Sequence, residues 1–129
     1  QHPLTVAYAG MSRWMEGNRT EFTAIFSTTE YGAIASIRTL DEHGLKVPDD
    51  VSVISFAGKS NLCAFIRPPL TAVEIDMESY GRATADALSE LLSKSSASAQ
   101  EVKIKPALWM RRTTARAPDR TARSRSVGE

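Results

Sequence analysis

One cysteine, Cys63, occurs among the 129 residues, which excludes an internal disulfide framework and a four-thiolate metal site. Cys63 then reads as a small buried or half-buried hydrophobe. No run approaches the roughly 20 consecutive apolar residues that a membrane-spanning helix requires, and the start lacks the basic-then-apolar order of a secretion signal. A cytoplasmic setting without a membrane partner is the expectation, and Gln1 in place of Met suggests a piece of a longer polypeptide.

Histidine is equally scarce: His2 and His43 lie far apart and neither belongs to an HExxH pattern. GxSxG, GxGxxG and GxxxxGK[ST] are also missing, so the local geometry of serine hydrolases, dinucleotide binders and P-loop proteins is not present. Adjacent acids such as Asp41-Glu42 and Asp49-Asp50 suit turn capping or a wet helix face, because adjacency does not set two carboxylates across a substrate. No catalytic residue, cofactor or metal is assigned from the sequence.

Sixteen basic residues against fifteen acidic ones leave a formal charge of +1, too little to imply a nucleic-acid partner. The charge is uneven, however, with Arg111, Arg112, Arg116, Arg120, Arg123 and Arg125 crowded near the end. Residues 119–129 therefore read as a disordered basic tail, solvated or in contact with polyanions. The 42% apolar content fits a globular core, and domains of about 100–150 residues are common, so residues 1–118 read as one domain or part of one.

Hydrophobic periodicity places the elements. Ala7, Met11, Trp14 and Met15 form a helical stripe over residues 6–16, with Thr5 as cap and Gly17 as terminator. FTAIF, residues 22–26, has the unbroken apolar character of a strand covered on both faces. A second helix over 30–43 buries Ala33, Ile34, Ile37 and Leu40, with Ser27 and Glu30 at capping-box spacing and Gly44 as the stop. VSVISF is another buried strand, and a helical crossover of this length implies a parallel pair with a right-handed connection. Residues 59–69 form a loop containing Pro68 and Pro69. An extended stretch over 70–75 leads, through Asp76 as cap, into a helix to about residue 93 that buries Tyr80, Ala83, Ala87, Leu88, Leu91 and Leu92. SKSSASAQ is a connector, and VKIKPALWMRRT reads as two extended pieces split at Pro106. The class is α/β, a layered fold on a parallel sheet.

Three blocks, TAIFSTTEYGAIASIRTLDEHGLKVPDDVSVISFAG, RPPLTAVEIDMESYGRATADALSELL and ALWMRRTTARAP, resemble the effector-binding core of lactose- and galactose-repressor type bacterial transcription regulators over Tyr8 to Pro118. The resemblance implies a partial type I periplasmic-binding-protein-like domain, mainly its C-terminal subdomain. It further implies a homodimer, a small-molecule effector that is sugar-like or less polar, and operator DNA read only through a separate N-terminal helix-turn-helix domain, so that the parent acts in transcription regulation, as a repressor or an activator. In the family the helix that follows RPPLT packs in the other subdomain, which implies that residues 76–93 are without their packing partners here and keep an apolar face. A periplasmic solute-binding protein and a small α/β enzyme are the alternatives.

Open α/β folds bind ligands beyond the carboxyl ends of their strands. Here those ends are STTE and AGKSN, giving Thr29, Glu30, Ala57, Gly58 and Lys59 as effector-binding candidates. Family members commonly carry Asn-Asp and Asp-Asp at these positions. Thr29-Glu30 and Ala57-Gly58 are a poor match to polyol readout, since an unpartnered buried hydroxyl costs about 1–3 kcal/mol. By resemblance, Ile34, Ile37 and Arg38 on the second helix, with Leu62, Ala64 and Phe65 in the loop, form the dimer surface. The apolar LCAFI segment would otherwise lie as a lid on its own core.

Overall fold

The computed structural model describes residues 2–17, 21–58, 61–93 and 101–118. The elements run α1 (Pro3–Gly17), β1 (Ala24–Ser27), α2 (Glu30–Glu42), β2 (Ser52–Gly58), α3 (Leu62–Phe65), β3 (Thr71–Ile75), α4 (Met77–Ser93) and β4 (Ala107–Trp109). They build a four-stranded sheet in sequence order. β1, β2 and β3 are parallel, in the register Ala24↔Ser52 and Ala57↔Glu74, while β4 returns antiparallel to β3 with Ala107 opposite Glu74.

Strand alternation gives the sheet two unlike faces. Val53, Ser55, Ala57, Ala72 and Glu74 point to one side and are buried. Ala33 and Leu40 of α2, Val51, Leu70 and Cys63 complete the core there, with Met15, Phe22 and Ile25 packed at its margin. The opposite side carries Phe26 (59% exposed), Phe56 (36%) and Leu108 (57%). β1 is thus covered on one face only, which corrects the expectation of a doubly buried strand, and the ladder begins at Ala24 rather than Phe22.

Local chemistry explains the helix boundaries. α1 starts earlier than expected, at Pro3, whose missing amide hydrogen is no loss in a first turn. His2 supplies the cap: its Nδ1 accepts from Leu4 N at 3.2 Å and its carbonyl from Thr5 N at 3.0 Å, so Thr5 lies inside the helix. The α1 stripe packs against α2, and the Trp14 and Phe22 rings meet at 5.2 Å. Tyr8 Oη donates to Glu42 Oε2 at 2.6 Å, and Arg38 lies 4.7 Å over the Tyr8 ring.

α2 ends as its sequence indicates. Gly44 takes φ 74°; its amide donates to Asp41 O and that of Leu45 to Leu40 O, both at 2.9 Å, closing the last turn. Only glycine adopts this conformation without steric cost.

Three expectations change. Leu62–Phe65 is a short helix rather than irregular loop. α4 has an amphipathic sequence but buries none of its residues: Tyr80 is 48% exposed, Leu88 55% and Leu92 81%. Its apolar side faces Val102 and Ile104 across a groove of about 320 Å³. Ile34 and Ile37 of α2, expected in the core, are only half-buried. The connector and the proposed basic tail lie outside the described residues.

Candidate functional site

The carboxyl end of β1 is a closed turn. Ser27 Oγ donates to Thr29 O at 2.7 Å, and Thr29 Oγ1 accepts from Gly32 N at 3.1 Å. Thr29 is therefore the N-cap of α2, with extended backbone (φ −141°, ψ 150°). The capping-box expectation is corrected: Ser27 braces the cap instead of forming it. Gly32 is required here, because a Cβ at that position would run into Ser27 Oγ and crowd Thr29 Oγ1.

Glu30 follows in the first turn, where a carboxylate stabilises the exposed amides. Its Oε2 accepts from Cys63 Sγ at 3.9 Å, linking the start of α2 to α3. Cys63 is fully buried, and burial pushes its thiol above the ordinary range. The charges of Glu30 and Glu74 push the same way, partly offset by Arg111. The neutral thiol is thus the stable form, as befits packing rather than nucleophilic use.

The end of β2 differs from expectation in kind. Ala57 is 4% exposed and belongs to the core, so it presents almost no surface to a ligand. Gly58 is half-buried, and a Cβ there would meet Met77 Cγ at 3.3 Å and Sδ at 3.7 Å. The side chain of the first residue of α4 thereby borders the space that a Cβ at 58 would take, and would have to yield slightly to admit one. Lys59 lies outside the described residues.

Sequence reasoning missed the charged pair behind this end. Glu74 stands beside Ala57 in the β2–β3 register and forms an ion pair with Arg111 at 2.8 Å, the two side chains being 5% and 18% exposed. A lone acidic residue in the apolar strand TAVEI was the available signal, since buried carboxylates need a partner.

The dimer-surface candidates cluster on another part of the molecule. Ile34, Ile37 and Arg38 line a groove of about 510 Å³, closed on its other sides by Leu45, Val47 and Pro68. α3 runs directly into this wall. Leu62 is half-buried, Ala64 exposed and Phe65 81% exposed, so Phe65 is not a lid on the core. Among the described residues no group of three or more His, Cys, Asp or Glu could hold a metal ion, and no helix is long and apolar enough to cross a membrane.

Comparison with known proteins places this geometry. The periplasmic binding protein-like domain family matches residues 3–114. The regulator MalR of Streptomyces coelicolor, described as an HTH-type transcriptional regulator, is 33% identical over 123 residues, which are 95% of this chain and 36% of MalR. The CelR regulator in complex with cellobiose superposes with a TM-score of 0.75 at 24% identity, over 85% of this chain and 33% of that one. A LacI-family regulator from Arthrobacter sp. FB24 in complex with lactose gives 0.71 at 24%, over 87% and 41%. The chain thus spans about a third of the length of this curated relative, and the structural likeness shows the fold. The relatives MalR of Streptomyces coelicolor and GalR of Streptococcus thermophilus are both described as transcriptional regulators. Three parallel strands with an antiparallel fourth and the match over residues 3–114 lead to one assignment: the chain belongs to the periplasmic binding protein-like domain family.

Proposed function

We propose that this chain supplies effector sensing and dimerisation to a cytoplasmic, sequence-specific DNA-binding regulator. A homodimer would read its operator through helix-turn-helix domains carried elsewhere in the polypeptide. The observation that carries the reading is the family match over residues 3–114, joined to an exposed aromatic, Phe65, beside a groove lined by Ile34 and Ile37. A two-fold interface is self-complementary: Phe65, Leu62 and Ala64 of one copy meet the apolar floor of the other. Arg38, Lys46 and Arg67 with Asp41 and Asp49 around the same groove offer both signs of charge.

The effector would lie beyond the carboxyl ends of β1 and β2, near Thr29, Glu30, Gly58 and Lys59. It would work by population shift: a ligand that favours one cleft geometry changes the relation between subdomains and so the spacing of two DNA-reading heads. The transport alternative shares the fold, but the relatives found are regulators.

Sedimentation equilibrium tests the interface. The chain associates to twice its 14.1 kDa mass, Ile37→Asp combined with Phe65→Asp returns it to monomer, and Leu88→Glu on α4 does not. An unchanged association constant in the double variant would refute the assignment.

A further inference from the structure

The groove beside Phe65 carries opposite charges on its two walls. Ile34, Ile37 and Asp41 line it from α2, where their spacing of three and then four residues sets them on one helix face. Arg67 lines it from the other side, two residues after Phe65. Both charged residues are exposed.

Neither charge is used within the chain. Among the described residues no ion pair or side-chain hydrogen bond reaches Asp41 or Arg67. Arg38, on the same wall as Asp41, is committed instead: its Nε donates to Glu42 Oε1 at 2.9 Å, and its guanidinium lies over the Tyr8 ring. Asp41 and Arg67 thus flank an apolar floor with their charges open to a partner.

The spacing of the two walls is matched. Ile66 is extended (φ −69°, ψ 163°), so Arg67 stands at most about 7 Å along the chain from Phe65. Asp41 stands about 6 Å along the axis of α2 from Ile37. When Phe65 of one copy meets Ile37 of another, the two equal steps carry a guanidinium to a carboxylate, and arginine's planar fork suits that acceptor. A two-fold axis repeats the contact.

We propose that Arg67 of one copy pairs with Asp41 of a second copy, twice across the two-fold axis, and that this reciprocal pair selects an identical chain as partner. This rests on the reading of the groove as a dimer interface. Charges at an interface rim govern register and partner choice more than raw affinity, because a chain that brings like charges together is rejected.

Charge reversal tests the pair by sedimentation velocity. Asp41→Arg and Arg67→Asp each set like charges together at both contacts and weaken association about tenfold or more. Mixing the two variants restores it, since every arginine then faces an aspartate, and native mass spectrometry identifies the product as the heterodimer. Arg13→Asp, at an exposed position of α1 outside the groove lining, makes the same change in net charge as Arg67→Asp and leaves association unaltered. If Ile37→Asp with Phe65→Asp dissociates the dimer while both reversals leave it intact, the groove remains the interface and the pair is wrong. If each reversal weakens association but the mixture does not recover it, the two charges do not meet and the proposal is overturned. A folded chain that stays monomeric removes the interface, and this pair with it.

Discussion

Arg111 Nη2 donates to Glu74 Oε1 at 2.8 Å across the β3–β4 pair, while Nη1 of the same guanidinium donates to Leu70 O, also at 2.8 Å. One cation thereby ties both ends of β3 to the returning strand. Thr113 supports it from below: Thr71 N donates to Thr113 Oγ1 at 2.8 Å, and Val53 N to the Thr113 carbonyl at 2.7 Å.

Removing one member of this pair leaves a buried charge without compensation. Arg111→Met is expected to cost about 3 kcal/mol or more, and adding Glu74→Leu to recover most of it. Urea midpoints of the single and double variants measure both, and a double variant no more stable than Arg111→Met would contradict the account.

The cap assignment separates two hydroxyls that stand close in sequence. Thr29→Ala deletes the acceptor for Gly32 N and is expected to lose about 1 kcal/mol. Ser27→Ala removes only the brace and costs less. Gly32→Ala is the most damaging of the three, because its methyl group enters the Ser27 hydroxyl. Thermal denaturation of the set ranks them.

Acid weakens the contact between α1 and α2. The Tyr8 hydroxyl, and then the Arg38 guanidinium, hold the Glu42 carboxyl below its ordinary 4.5. A carboxyl depressed on folding contributes stability that is fully present above its unfolded value and is lost as pH falls through the folded one. Trp14 fluorescence is therefore expected to stay constant down to about pH 5 and to change below it, and Glu42→Gln to remove that dependence.

The thiol of Cys63 is protected by burial rather than by chemistry elsewhere. Its value is raised above the ordinary 9.0, so the neutral form dominates at pH 8 and labelling by a disulfide reagent proceeds through opening of the chain. Labelling rates that rise with urea in step with global unfolding support this. Rapid labelling of the native chain would place Cys63 outside the core.

The elements nearest this core were the most legible. The helix–Gly44–strand sequence of α2 and β2 carries its period, its left-handed stop and its buried strand within one continuous stretch, so local signals and tertiary packing agree. α3 escaped notice because four residues, LCAF, are too short to show a period. The cap moved from Ser27 to Thr29 by two residues, since both types serve and only the backbone turn decides between them. α4 was legible in part: its hydrophobic stripe reads as a buried side, whereas the resemblance places this helix against the other subdomain and implies an unpartnered face, and the exposed Tyr80, Leu88 and Leu92 agree with the second. The Glu74–Arg111 pair joins positions 37 residues apart, and no local pattern relates them. At the candidate site, the positions were readable from the strand ends, whereas the inward turn of their hydroxyls was not.

The antiparallel return of β4 has a mechanical corollary. β3 leads out to α4 and β4 leads back, paired at Ala72↔Trp109, Val73↔Leu108 and Glu74↔Ala107, so the two passages form a single ribbon. The 17 residues of α4 form a helix about 25 Å long, and it begins three residues after Glu74, the point at which Arg111 joins the two passages of the ribbon.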